Sequence, residues 1–246
     1  MIGKTINKIF CTLILASFAI TNFASAAPRL TLPETVFNFG YCPQNSDVSH
    51  KFWLISTGDM PLKITKVIPG CSCTRAPLDK DELAMGDSTQ LEIVFSTKTS
   101  LNRVSKSPTI QTNEGPPDKK IQIIANIVSH PDSTFPVVIQ PYKLDLSQKT
   151  EKVIDRIEFA ISNVSDQDIK VNFVAGATDY FKVELPRGII KPGEMAKGEL
   201  ILNKDVLDQA FLKSFTIQVN DDAGTRFTVP VKRVLASGVI PASAGK

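Results

Sequence analysis

Cys71 and Cys73 stand one residue apart in Val67-Ile68-Pro69-Gly70-Cys71-Ser72-Cys73-Thr74, and their type and spacing offer chemistry. Thiols so placed can exchange with other disulfides, close on each other, or hold a soft metal such as Cu(I). Cys42 is the third cysteine expected in the mature chain, so one thiol is left over whichever pair forms. A metal site would rest on these three thiolates alone. Met60 lies in a turn assigned to the other end of the fold, and no His-rich or Met-rich cluster accompanies the thiols. No cofactor is therefore expected. Copper binding or thiol redox chemistry at Cys42, Cys71 and Cys73 stands as the alternative to a structural bridge.

The other side chains capable of chemistry are scattered. His50 falls in a strand and His130 in a linker, and neither belongs to a metal or nucleophile motif, so no catalytic residue is assigned and the chain reads as non-enzymatic. Asp79, Asp81 and Glu82 are interleaved with Lys80 and lack the spacing of a calcium loop, which makes them a solvated loop. Asn163-Val164-Ser165 matches a glycosylation sequon but occupies a position that calls for a turn. Phe52 and Trp53 read as core; a Trp53 that faced outward would instead be a contact for a partner.

Lys4 and Lys8 precede an apolar run from Ile9 to Ile20, which Ala24-Ser25-Ala26 follows. That is the pattern of a secretory signal peptide over residues 1–26, cut near Ala26. The run is short for a bilayer, so no membrane span is expected after cleavage, and Cys11 leaves with it. A periplasmic or secreted location follows. The chain carries 28 basic and 25 acidic residues, and loss of Lys4 and Lys8 brings the net charge to about +1, which gives no electrostatic case for nucleic acid or an anionic membrane.

About 220 residues remain, enough for two domains. Short alternating apolar runs broken by Gly, Pro, Asn and Asp predict an all-β chain. Val36 to Gly40, Val48 to Ser56, Leu62 to Val67, Leu91 to Phe95 and Ile121 to Val128 are strands of a first sandwich over residues 30–130. Tyr142 to Leu146, Ile157 to Ile161, Ile169 to Phe173, Phe215 to Val219 and Phe227 to Val231 repeat the pattern over residues 133–236, with Pro230 assigned to an edge or a bulge. Residues 237–246 read as a flexible tail. The fold class is two tandem immunoglobulin-like β-sandwiches.

The first half resembles a known family. Phe37-Asn38-Phe39-Gly40, Ser56-Thr57-Gly58-Asp59, Gly70-Cys71-Ser72-Cys73-Thr74 and Met85-Gly86-Asp87 are similar to the F-x-F-G, N-T-G-D, C-G-C-T and P-G-E signatures of the exported bacterial domain-of-unknown-function family fifteen seventy-three. The resemblance covers about residues 33 to 128 and implies a sandwich akin to PapD-like and ASH-type domains, without an assigned activity. Ser56, Ser72, Met85, Asp87 and the added Cys42 depart from the pattern, and Ser72 in place of Gly narrows the backbone freedom between the cysteines.

Strand parity puts Cys42 and the Cys71–Cys73 segment at one end of the first sandwich. A bridge from Cys42 to Cys71 or Cys73 closes a loop of about 30 residues, worth roughly 3 to 4 kcal/mol in the chain-entropy model. A direct Cys71 to Cys73 bridge makes a small ring, more easily reduced. The expected reading is a staple with one spare thiol, in an exported module for interaction, adhesion or scaffolding in the bacterial cell envelope. Its partner would be an unidentified protein or envelope ligand, met through exposed sheet edges or Trp53.

Overall fold

The computed structural model describes residues 26–148 and 153–235. The signal-peptide assignment up to Ser25, Cys11 and the tail from Ala236 fall outside them. Nearly every element is a strand, as the alternation dictates. In Asp47–Ser56 the inward residues Val48, Phe52 and Leu54 are buried while Trp53 between them is exposed, so one pleat separates core from surface.

Four sheets build two sandwiches. In the first domain one sheet runs Leu30–Thr31, Asp47–Ser56, Ser88–Ser96 and Thr74–Arg75; another runs Lys119–Lys120, Thr109–Thr112, Leu62–Ile68 and Glu82–Leu83. In the second domain Val137–Gln140, Arg156–Asn163, Met195–Leu202 and Phe181–Glu184 form one face. The last sheet belongs to both domains. Val171–Gly176, Phe211–Val219 and Arg226–Arg233 come from the second; Val36–Pro43, Gln122–Val128 and Asn102–Lys106 come from the first. Each sandwich closes around its own core, one centred on Phe37, Phe39, Phe52 and Phe95, the other on Phe159, Phe181, Phe215 and Phe227.

The join inside the shared sheet is parallel and short, Phe227 opposite Tyr41. The two rings stack at 5.3 Å. Side chains extend the seam. The Thr228 hydroxyl donates to the Phe39 carbonyl at 2.6 Å, Ser214 and Ser49 exchange two hydrogen bonds at 2.9 and 3.2 Å, and Lys213 reaches both carboxylate oxygens of Glu92 at 2.8 and 2.9 Å. Val174 and Ala175 of the second domain pack on the first core, and Tyr41 of the first packs on the second. The two sandwiches are thus fused, where the sequence pattern had placed them in series.

Three strand expectations change. Pro230 lies in an inner strand, opposite Ser214, where Arg226–Arg233 switches its other neighbour from Tyr41 to Leu144. At that gap no ladder bond is required of a residue without an N–H. The run Tyr142 to Leu146 keeps only Leu144–Asp145 as strand. Trp53, read as core, faces outward. The strand's period leaves its inward positions to the residues on either side.

Candidate functional site

The cysteines come first because they carry the strongest chemical signal. Cys71 and Cys73 are bonded to each other, two positions apart, in the bend that hands the chain from Leu62–Ile68 to Thr74–Arg75 on the edge of the neighbouring sheet. Both are partly exposed and Ser72 between them is exposed. The Thr74 hydroxyl, anchored on a buried residue, lies 3.1 Å from Cys71 Sγ and 4.0 Å from Cys73 Sγ.

Cys42 is elsewhere. It is unpaired and wholly buried at 0% exposure, on the strand that joins the shared sheet. Its Sγ lies 3.7 Å from the Gly40 carbonyl. Burial pushes its thiol far above the ordinary value, and a hydrogen bond with Thr228 of the second domain offsets only part of this. The expected staple from Cys42 to Cys71 or Cys73 is therefore absent. Parity fixes at most the end of the sandwich a residue occupies; it does not say that Cys42 points into the core of one sheet while the pair sits in a surface bend between two others. With two of the three sulfurs joined in a disulfide, the three thiolates of the copper alternative are not present together.

Trp53 is 50% exposed and is the one tryptophan of the chain. It stands on the outward face of the Asp47–Ser56 and Ser88–Ser96 pair, opposite Gln90, one step along that face from the Lys51–Glu92 pair. The same face runs into a cleft between the domains, about 250 Å³ in volume, where Lys51, Gln90 and Glu92 meet Phe173 and Asp179. Lys51 bonds Asp179 across it at 3.1 Å. Alternation in the sequence already held the signal for Trp53. The cleft had none, because Lys51 and Asp179 on its two walls lie 128 residues apart in sequence and come from different domains.

His50 is structural. Its ring stacks on Phe37 with centroids 3.5 Å apart, meets Phe52 edge-on, and places Nε2 2.7 Å from a Glu34 carboxylate oxygen. Desolvation lowers its pKa from the ordinary 6.5, more than Glu34 raises it, with Arg226 adding to the lowering. The unfolded chain then binds the proton more readily, so stability falls as pH drops through 6.5 toward the folded value. Denaturation midpoints followed from neutral pH to about pH 5 are expected to decline in the wild type and to flatten in His50→Gln. Equal slopes in the two proteins would remove His50 as the cause.

The remaining residues serve structure. Glu82 bonds Lys63 at 2.6 Å and Lys80 pairs with Asp87, which ties the acidic loop to its own cations. Asn163 is buried; its amide donates to the Gln167 and Ile190 carbonyls while its oxygen accepts from the Ser165 N–H and hydroxyl. That is the turn role, with the amide closed to a glycan. Among the described residues no cluster of three or more His, Cys, Asp or Glu is placed to hold a metal ion, and no helix is long and apolar enough to cross a membrane.

Fold and site define a tandem immunoglobulin-like β-sandwich protein with a surface C-x-C disulfide. Residues 30–127, the first domain, match the family model described as protein of unknown function DUF1573. Residues 137–233 match the HYDIN/CFA65/VesB-like Ig-like domain model. No curated protein matches the chain. Similar solved structures include a protein of unknown function from Porphyromonas gingivalis W83, at 14% identity over 83% of this chain and 98% of that one, with a TM-score of 0.36. The VesB protease of Vibrio cholerae is 15% identical over 42% of this chain and 32% of its own, with a TM-score of 0.33. An ASH/PapD-like domain of human CEP192 is 7% identical over 49% of this chain and 99% of its own, with a TM-score of 0.36. Likenesses this distant carry no argument about what this chain does.

Proposed function

We propose that this is an exported binding module of the bacterial cell envelope, which meets a protein or envelope ligand on the outward face bearing Trp53. A signal-like N-terminus supports export. The observation that carries the reading is Trp53 itself: a large amphipathic side chain half in solvent, on a two-strand face, beside a cleft of mixed polar and apolar lining. Nothing in the core requires it there. The fused seam holds cleft and face in one geometry, so a partner loses little freedom to domain motion when it binds.

Trp53 also reports on the site, since it is the only indole in the chain. Titration with fractionated envelope components is expected to shift its emission to the blue as the ring leaves water. Trp53→Ala is expected to weaken capture of that same component at least tenfold while leaving the denaturation midpoint within about 0.5 kcal/mol of wild type, as for surface substitutions. Capture that is unchanged by Trp53→Ala would assign the contact to another surface.

A further inference from the structure

The Cys71–Cys73 bond contributes little as a staple. It links positions two apart, so it scarcely restricts the unfolded chain, and the loop-closure stabilisation of a long bridge is missing. The bend around it is held by other means. The Cys71 carbonyl accepts from the Thr74 N–H at 3.2 Å and the Cys73 carbonyl from the Ser96 N–H at 2.8 Å, bonds that do not need the sulfurs joined. A disulfide that adds so little to the fold, in a partly exposed bend, is available as an electron acceptor.

The two sulfurs are not equivalent. Cys73 packs against the first core, whereas Cys71 is not part of that packing. The Thr74 hydroxyl is 0.9 Å nearer to Cys71 Sγ than to Cys73 Sγ. A disulfide sulfur has no proton to give, so the hydroxyl is the donor, and the same bond would stabilise a thiolate on Cys71. Cys42 is wholly buried, so thiols in solution do not reach it.

We propose that Cys71 and Cys73 form a thiol–disulfide exchange site, with Cys71 the sulfur that meets the substrate, Cys73 the resolving thiol, and Thr74 positioned to stabilise the Cys71 thiolate. This stands independently of the Trp53 reading. A substrate thiolate attacks Cys71 Sγ; the new S–S bond forms as the Cys71–Cys73 bond breaks, and Cys73 Sγ keeps the electron pair and takes a proton from water. A second thiolate of the substrate then attacks the substrate sulfur of the mixed disulfide, which releases Cys71 as a thiolate facing Thr74. The substrate loses two electrons and becomes a disulfide; Cys71 and Cys73 gain them and become the dithiol. In the other direction the Cys71 thiolate attacks a substrate disulfide and Cys73 displaces the product.

The test uses the full chain and reads thiols peptide by peptide, which separates Cys11 and Cys42 from the pair. Incubation with reduced glutathione, or with a reduced dithiol peptide, is expected to free Cys71 and Cys73 together while circular dichroism is unchanged and Cys42 stays unmodified. Formation of the peptide's disulfide in step with the loss of the Cys71–Cys73 bond shows the two-electron transfer; reaction with one probe alone names small or protein thiols as the source. With oxidised glutathione, Cys73→Ser is expected to trap an adduct at Cys71 about tenfold faster than Cys71→Ser traps one at Cys73. Adding Thr74→Val should slow the Cys71 adduct about tenfold and move its pH profile upward, while Thr74→Ser restores both. A pair that neither thiol reduces while the fold is intact overturns the proposal, and so do equal adduct rates at Cys71 and Cys73.

Discussion

Gly40→Ala is expected to remove about 3 kcal/mol or more of stability and to uncouple the two sandwiches, because two independent penalties fall on one methyl group. Gly40 has φ +67°, where L side chains are strained, and a Cβ built there would lie 1.9 Å from the Arg226 carbonyl oxygen of the other domain. Backbone cannot give way as a flexible side chain can. The residue sits where the first strand bulges: the register against Gln122–Val128 slips between Ile124 and Ala125, and the Gly40 N–H turns to the Asn38 side chain at 2.9 Å. From there the strand passes directly under Arg226, whose guanidinium lies over Phe37 at 5.6 Å and donates to the Asn38 carbonyl at 3.3 Å. Denaturation of the wild type is expected to be one transition, and that of Gly40→Ala two, one for each core. Gly86→Ala is the control: φ is +78° there too, but nothing lies within 4 Å, so only the backbone penalty of about 1 kcal/mol remains. A cost for Gly40→Ala no larger than for Gly86→Ala would show that the Arg226 backbone does not press on Gly40.

The second large effect belongs to Arg233. It is 0% exposed, and its guanidinium gathers four acceptors: the Leu146 and Ile154 carbonyls through Nη1, and the Gln148 amide oxygen and Leu207 carbonyl through Nη2. These come from separate stretches of the second domain, so one side chain holds its lower end together. Arg233→Met keeps much of the apolar stem and relieves the burial of a charge, but strands four acceptors away from water. At 1 to 3 kcal/mol for each unsatisfied group, reduced where water enters, a net loss of about 3 kcal/mol is expected. Arg233→Lys should fall between, because a single ammonium cannot match the planar fork. Urea midpoints at constant m-value would measure this; a midpoint for Arg233→Met within 0.5 kcal/mol of wild type would show the acceptors to be satisfied by water instead.

The pattern of alternation was sufficient for most of the strands, since burying one face of a pleat imposes a period of two whatever the neighbours are. It separates Phe52 and Leu54 on one face from Trp53 on the other; which face is inward was decided by the structure, against the bulk of the ring, which had argued for the core. The turn residues also read correctly: Gly86 adopts the positive φ its turn requires, and Asn163 spends its whole side chain on closing a turn.

Other features had no local signal. Arg233 reads as one more cation near the end of a strand, and only the convergence of three distant carbonyls and an amide makes it an interior residue. Gly40 reads as a bulge glycine; its second constraint comes from a backbone 186 positions away. Pro230 reads as an edge or bulge residue because a proline cannot complete a ladder, and an inner strand accepts it where that ladder changes partners.

The cysteines divide in the same way. Sequence by itself raised the expectation of one odd thiol, if Cys11 leaves with the signal peptide, and determined that Cys71 and Cys73 could meet, because adjacency decides the second. Only the tertiary structure decided that Cys42 is the odd one, for its pairing depends on which layer each residue occupies and which way it points. Strand order in a sandwich is set by long-range burial, and that information is not carried by the spacing of the cysteines along the chain.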